Sequence, residues 1–390
     1  MNKSALACLA AGTLIFSALL VWLDPAQAGE LFARLLPIFG FVIGMSVVVN
    51  LASDFGAFEE VTRWIEHRAP RSTEARKAVI WVGILVLAVL VTVFFSLDTT
   101  AILITPLAIV LARRNGLSVM ATAISVVWIA NIGSLVLPVS NLTNLLAVGG
   151  GYFSSPAGYQ HYVFLPAIAA LAVVGAASWL VQLRAATGHA VTAPHPRAQK
   201  DPLLVLALVV IGCLLPALVS PIPYWVSSTF AAGILLCAAW WQRRESISLD
   251  LVPWSALVLA TGFSVLATLI NILGGAAVVQ DLLGGAGDTP GGLYAVAGAG
   301  VVASNVINNI PAYLMLEPAV TIPAGVTALL IGVNAGPLIT PWASLATLLW
   351  HDQLKRVGVQ FGWKRFIFAG LAIVPIAVGI PTAVLIAQVG

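Results

Sequence analysis

A single carboxylate, Asp98, lies between two long apolar runs, residues 79–97 and 101–111, with Thr99 and Thr100 beside it. An ionisable group so placed is costly to bury and is a functional candidate by default. It can take up and release a proton, or stay charged against a cation or a helix N-terminus; capping a helix end is the structural alternative. Two further clusters are uncharged. Asn131, Ser134, Ser140, Asn141, Thr143 and Asn144 crowd one stretch, and Asn334, Thr340, Ser344 and Thr347 crowd another, with Asn305, Asn308 and Asn309 shortly before the second. Amides and hydroxyls both donate and accept hydrogen bonds, and an interrupted helix adds partial charges of either sign at its half-helix ends. Together these groups can solvate a small polar solute; singly, they would act only as glue between helices.

Other chemistry has little support. There is no His-Glu-x-x-His helix and no Walker loop, which disfavours a zinc protease and a self-contained ATP-driven pump. Serine proteolysis would need a serine and a histidine at one depth, whereas His161 and His351 fall at span ends. Cys8, Cys213 and Cys237 are widely separated inside apolar stretches, so neither a disulfide framework nor a Cys-x-x-Cys site is indicated. We therefore expect no enzyme, no metal centre and no cofactor, the coupling ion being a proton or sodium. Asp54 and Glu317 fall nearer span ends, where carboxylates are normally solvated, and Trp225, Trp240, Trp241, Trp350 and Trp363 read as interfacial anchors.

The elements that must position these residues follow from composition. Of 390 residues, 60% are apolar and only 8% charged, and the mean hydropathy is +1.02. A water-soluble surface cannot be built from so few charges, since soluble domains carry about 25%. The class is an all-α polytopic membrane protein. The net charge of +3 does not indicate a nucleic-acid partner, because the basic residues sit in short loops between apolar runs. Seventeen of the eighteen Lys and Arg fall on one side if the N-terminus is cytoplasmic, and only Arg34 is left outside. The loops at 24–33, 149–160, 220–223 and 273–291 hold none, so the positive-inside rule orients the chain in the inner (plasma) membrane.

This orientation makes residues 78–112 a hairpin, because both of its ends are basic and cytoplasmic, with its tip near Ser96–Thr100; residues 292–323 form a second hairpin that opens outward, with its tip near 305–310. After each comes a long apolar stretch interrupted by Gly and Pro, 117–148 and 324–350. The sequences NIGSLVLPVSNLTNLL from Asn131 and NAGPLITPWASLATLL from Asn334 align without gaps and are identical at seven of sixteen positions. The two copies run in opposite directions, an inverted repeat of the kind found in secondary transporters. The expected organisation is an uncleaved first helix (1–30), a first repeat (31–183), a cytoplasmic linker (184–201) containing His189 and His195, and a second repeat (202–390).

Ile339-Thr-Pro-Trp-Ala-Ser-Leu-Ala-Thr-Leu-Leu-Trp350, preceded by Gly332-Val-Asn-Ala-Gly-Pro337, resembles the corresponding G-C-D-L-G-P-x-I-T-P-x-G-S-L-A-T-L-L-W stretch of the arsenite and antimonite efflux permeases, the ArsB family of the ion transporter superfamily. Pro138-Val-Ser-Asn-Leu-Thr-Asn-Leu-Leu146, Asn308-Asn-Ile-Pro311, Asp98 with Thr105-Pro106, and Asp54-Phe-Gly-Ala-Phe58 extend the resemblance over about residues 31–390. It implies proton-coupled efflux of a small inorganic substrate, arsenite or antimonite, across the lipid bilayer, and leaves open a homodimer and an accessory ATPase on the cytoplasmic loops. Sodium/proton antiport and sodium-coupled dicarboxylate transport are the alternatives within the superfamily. The sequence departs from the family where its Asp and Cys-Asp in the two breaks become Asn131 and Val333-Asn334, and where Leu97 replaces the Asn before Asp98.

Overall fold

The computed structural model describes residues 3–70, 72–153, 155–185 and 201–390; the linker reading of 184–201 lies almost wholly outside them. Among the described residues the chain is helical without strands, and eight helices are long and apolar enough to cross a membrane. Proline at the first helical position and small polar caps set many of the starts. The first half opens with α1 (Lys3–Leu23), then α2 (Pro25–Asp54), whose cap Asp24 accepts from the Gln27 N–H at 3.0 Å, and α3 (Ala57–Arg68). The basic stretch between the second apolar run and the first hairpin, one of the short loops in which the Lys and Arg residues sit, thus contains a helix. Glu59 and Glu60 in its first turn and His67 and Arg68 in its last complement the helix dipole, while Phe58, Thr62 and Ile65 form its buried face.

The first hairpin consists of α4 (Thr73–Phe95), a sharp turn at Ser96, and a returning arm made of α5 (Leu97–Thr99), a π-helical segment at Thr100–Ile104 and α6 (Thr105–Arg114). Helix α7 (Val119–Ile132) then runs to the first break, and α8 (Leu142–Gly149) resumes beyond it before α9 (Pro156–Arg184). In the second half α10 (Pro202–Leu218), α11 (Tyr224–Gln242) and α12 (Trp254–Ile270) precede α13 (Ala276–Leu283), a helix inside what the sequence reads as an outer loop. The second hairpin pairs α14 (Pro290–Ile307) with α15 (Asn309–Leu316); α16 (Pro323–Ala335), the second break, α17 (Leu345–Arg356) and α18 (Trp363–Val389) complete the chain.

Helices α7 and α16 form the centre. Every residue from Ala121 to Ile132 and from Ala324 to Ala335 is buried, as a helix apolar on all sides requires. Around them α4 packs on α7, α14 on α16, α9 on α18, α2 on α11 and α1 on α12. Two close approaches depend on glycine. A Cβ on Gly332 would stand 2.2 Å from the Ala297 carbonyl oxygen, and one on Gly370 would stand 1.8 Å from that of Leu338, so α14 meets α16, and α18 meets the second break, backbone to backbone.

Candidate functional site

Both hairpins turn on a non-glycine residue at positive φ, Ser96 at 125° and Asn308 at 95°, a conformation rarely adopted by L side chains. Each caps the arm that follows: Ser96 Oγ accepts from the Thr99 N–H and Asn308 Oδ1 from the Ile310 N–H, both at 3.3 Å. Asp98 sits in the first turn after Ser96, and its carboxylate has no hydrogen bond or ion pair among the described residues. Thr99 leans back on Ser96, and Thr100 Oγ1 lies 2.8 Å from Thr92 Oγ1 on the opposite arm.

The first break is a closed account of backbone groups. Gly133 and Pro138 end regular helix here, and Leu137, preceding proline, is extended. Each freed carbonyl finds a side-chain donor: Asn144 Nδ2 serves Ser134 at 2.7 Å and Leu137 at 3.0 Å, Tyr159 serves Leu135 at 2.7 Å, and Gln160 serves Val136 at 2.8 Å. Interrupted backbone inside a membrane is tolerated only with such cover. Ser140 Oγ donates to the Val93 carbonyl at 2.7 Å and so ties the break to the first hairpin.

The second break is held by the second hairpin tip. Asn305 Nδ2 donates to the Gly336 carbonyl at 2.8 Å, while its Oδ1 accepts from the N–H groups of Ile339 and Thr340. Thr340 Oγ1 donates to the Asn305 carbonyl, Asn308 Nδ2 to that of Trp342, and the Asn309 N–H to that of Ala343. Across the molecule, Asn334 Oδ1 accepts from Asn141 Nδ2 and Thr143 Oγ1, both at 2.8 Å, and Asn334 Nδ2 donates to Asn144 Oδ1 at 2.6 Å. The amide of one half is thereby clasped by three side chains of the other. Asn131, Ser344 and Thr347 are buried beside these networks.

Two buried groups escape a reading of the sequence. Glu317 is 7% exposed rather than solvated, because Arg34, the one basic residue left outside by the charge rule, meets it in a bidentate pair at 2.6 and 3.2 Å. Arg34 Nε also donates to the Leu146 carbonyl at the end of α8, at 3.0 Å, and the Tyr313 hydroxyl donates to Glu317 at 3.0 Å. The available signal was that lone arginine. Trp350 is fully buried, not interfacial, and its indole N–H donates to the Ala123 carbonyl at 2.8 Å. A cavity of about 480 Å³ opens between α3, the returning arm of the first hairpin and α17, lined by Thr62, Glu66, Ile102, Pro106, Arg114 and Gln353 among others. Among the described residues no cluster of His, Cys, Asp and Glu could hold a metal ion.

The arsenical pump membrane protein of Escherichia coli K12 is 26% identical over 352 residues, covering 83% of this chain and 80% of that protein. That of Yersinia enterocolitica is 28% identical over 355 residues, with the same coverage. These relatives agree with the resemblance carried by the motifs around Pro138 and Ile339. The solved structure of the Alcanivorax borkumensis YdaH transporter superposes with a TM-score of 0.62 at 13% identity, over 99% of this chain and 96% of that one, and so shares the fold. Residues 1–327 match the citrate transporter family, CitMHS, and the chain is a membrane transporter belonging to that family.

Proposed function

We propose that the protein is a secondary transporter that exports trivalent arsenic or antimony in exchange for protons, with its N-terminus cytoplasmic and its two halves inserted in opposite directions. The observation that carries this reading is the chemistry of the breaks: residues 131–144 and 334–344 hold amides and hydroxyls and no charged side chain, with Asp98 the unpartnered acid at the adjacent hairpin tip. Near neutral pH arsenite is mostly the uncharged trihydroxide, which hydroxyls and amides can solvate without a thiol pair. The three cysteines lie exposed on α1, α10 and α11, in keeping with that chemistry. Citrate or a dicarboxylate would bring several negative charges to a site without Lys or Arg and next to Asp98, an unfavourable electrostatic match. Asp98 supplies a carboxyl able to carry the exchanged proton, and the cavity beside the first hairpin is suited to admit solute from the cytoplasmic side.

The test is expression in a metalloid-sensitive host lacking its own pump. Raised tolerance to arsenite and antimonite, with pH-driven uptake into inverted vesicles, is the expected result. Unchanged metalloid tolerance with raised sodium or lithium tolerance would replace this reading by cation antiport.

A further inference from the structure

The aligned repeats place Asn131 against Asn334, Asn141 against Ser344 and Asn144 against Thr347. The structure joins Asn334 on α16 to Asn141 and Asn144 at α8 by hydrogen bonds, a first junction, and it packs α7, which carries Asn131, against α17, which Ser344 precedes and to which Thr347 belongs, a second. Trp350 fixes the second junction by its bond to Ala123. Eight residues on along α7 is Asn131, and six back along α17 is Ser344, about 12 and 9 Å of helix that bring both to the break.

The two junctions differ in one respect. At the first, Asn334 is held by Asn141, Thr143 and Asn144 at 2.6–2.8 Å, its oxygen accepting twice. At the second, Asn131 Oδ1, Ser344 Oγ and Thr347 Oγ1 are all buried and none has a hydrogen-bond partner. Serine and threonine are shorter than the asparagines they replace, so the heads that close the first junction are missing from the second. Ser344 also stands at the N-cap of α17 without making a side-chain cap bond; the Thr347 N–H donates to the Ser344 carbonyl at 3.2 Å, and the Leu345 and Ala346 N–H groups are the ones left at the start of the helix.

These groups constrain the occupant. Asn131 Oδ1 can only accept, so it needs a donor, while Nδ2 gives one of its two N–H groups to the Val127 carbonyl at 3.0 Å. The Leu345 and Ala346 N–H groups need an acceptor, and the two hydroxyls can be either. A bare cation would face the positive end of α17, and an anion would leave the asparagine oxygen unmatched. We infer that the second junction binds a small neutral solute carrying several O–H groups, and that the first junction is a structural clasp with no ligand. This inference rests on the export reading and locates its substrate.

The experiment is thermal unfolding of the full chain in detergent, titrated with arsenous acid, boric acid or sodium chloride. Saturable stabilisation by at least one trihydroxide is expected. The double variant Ser344→Asn with Thr347→Asn, which rebuilds the first junction's amide pair, is expected to unfold no earlier than the native protein and to bind at least tenfold more weakly. Thr347→Val, close in shape, should weaken binding in the same direction if the double variant fails to fold. Native-like binding in these variants, no stabilisation by either trihydroxide, or sodium stabilisation that these variants abolish would each overturn the inference. Boric acid binding that the variants remove, with arsenous acid inert, would keep the site and reject metalloid export. Arsenite export with unaltered binding in the variants would keep export and reject the site.

Discussion

The Arg34–Glu317 pair joins the long helix α2 to the end of the second hairpin, and the consequences of breaking it can be worked from its contacts. Side-chain exposure is 18% for Arg34 and 9% for Glu317, so screening by water is weak. Arg34→Met removes the carboxylate's cation and also strips the donor from the Leu146 carbonyl, leaving Glu317 only the Tyr313 hydroxyl. Stranding one member of a buried pair costs about 3–5 kcal/mol. Glu317→Gln is milder, about 1–3 kcal/mol, because the amide oxygen still accepts and Arg34 keeps the Leu146 carbonyl. Arg34→Met with Glu317→Leu removes both charges together and should lie within about 2 kcal/mol of the native protein, since apolar replacement of a buried pair is often close to neutral. The double variant is therefore expected to be more stable than Arg34→Met alone. Reversible unfolding in mixed micelles of the native protein, Arg34→Met, Glu317→Leu and the double variant, followed through tryptophan fluorescence, supplies the four stabilities of the cycle. If the single costs simply add in the double variant, the two groups are not coupled and the reasoning fails.

Asp98→Asn keeps the shape and hydrogen-bonding capacity of the tip but removes the titration; it should fold and bind substrate, yet lose uphill transport driven by an imposed pH gradient, and survival of that transport in inverted vesicles would reassign the coupling residue. Asn334→Leu leaves Asn141, Thr143 and Asn144 without their shared partner at a buried site and should cost about 2–4 kcal/mol by the same unfolding measurement; a cost below about 1 kcal/mol would show that the clasp is not needed. Gly370→Ala drives a methyl group into the Leu338 carbonyl and should cost about 1–3 kcal/mol or more by forcing α18 away from the second break. Native-like stability and transport in that variant would refute the close approach.

Much of the fold is written in local chemistry. Sixty per cent apolar residues, basic loops on one side and Gly-Pro interruptions inside apolar stretches specify a helical membrane protein with two hairpins and two broken helices, because hydrocarbon leaves backbone groups no other way to be satisfied. The helical turns of α3 and α13 are less legible, since α3 is short and polar and α13 is a short apolar stretch between glycine pairs, Gly274-Gly275 and Gly284-Gly285, and both resemble loops beside a span.

The candidate site divides in the same manner. The residue types around Asn131, Asn141, Asn334 and Ser344 mark the breaks as polar, and that much is visible in the sequence. Which of them face one another is decided by contacts between residues distant in the chain: Asn144 and Asn334, 190 positions apart, form a clasp, Asn305 and Thr340, 35 apart, hold the second break, and Asn131, Ser344 and Thr347 keep unmatched groups. The pairing of Arg34 with Glu317 spans 283 positions and turns a residue that looked misplaced into a buried tether. Residue type sets how many hydrogen bonds a group can make, and only the packed structure decides which of them are already taken.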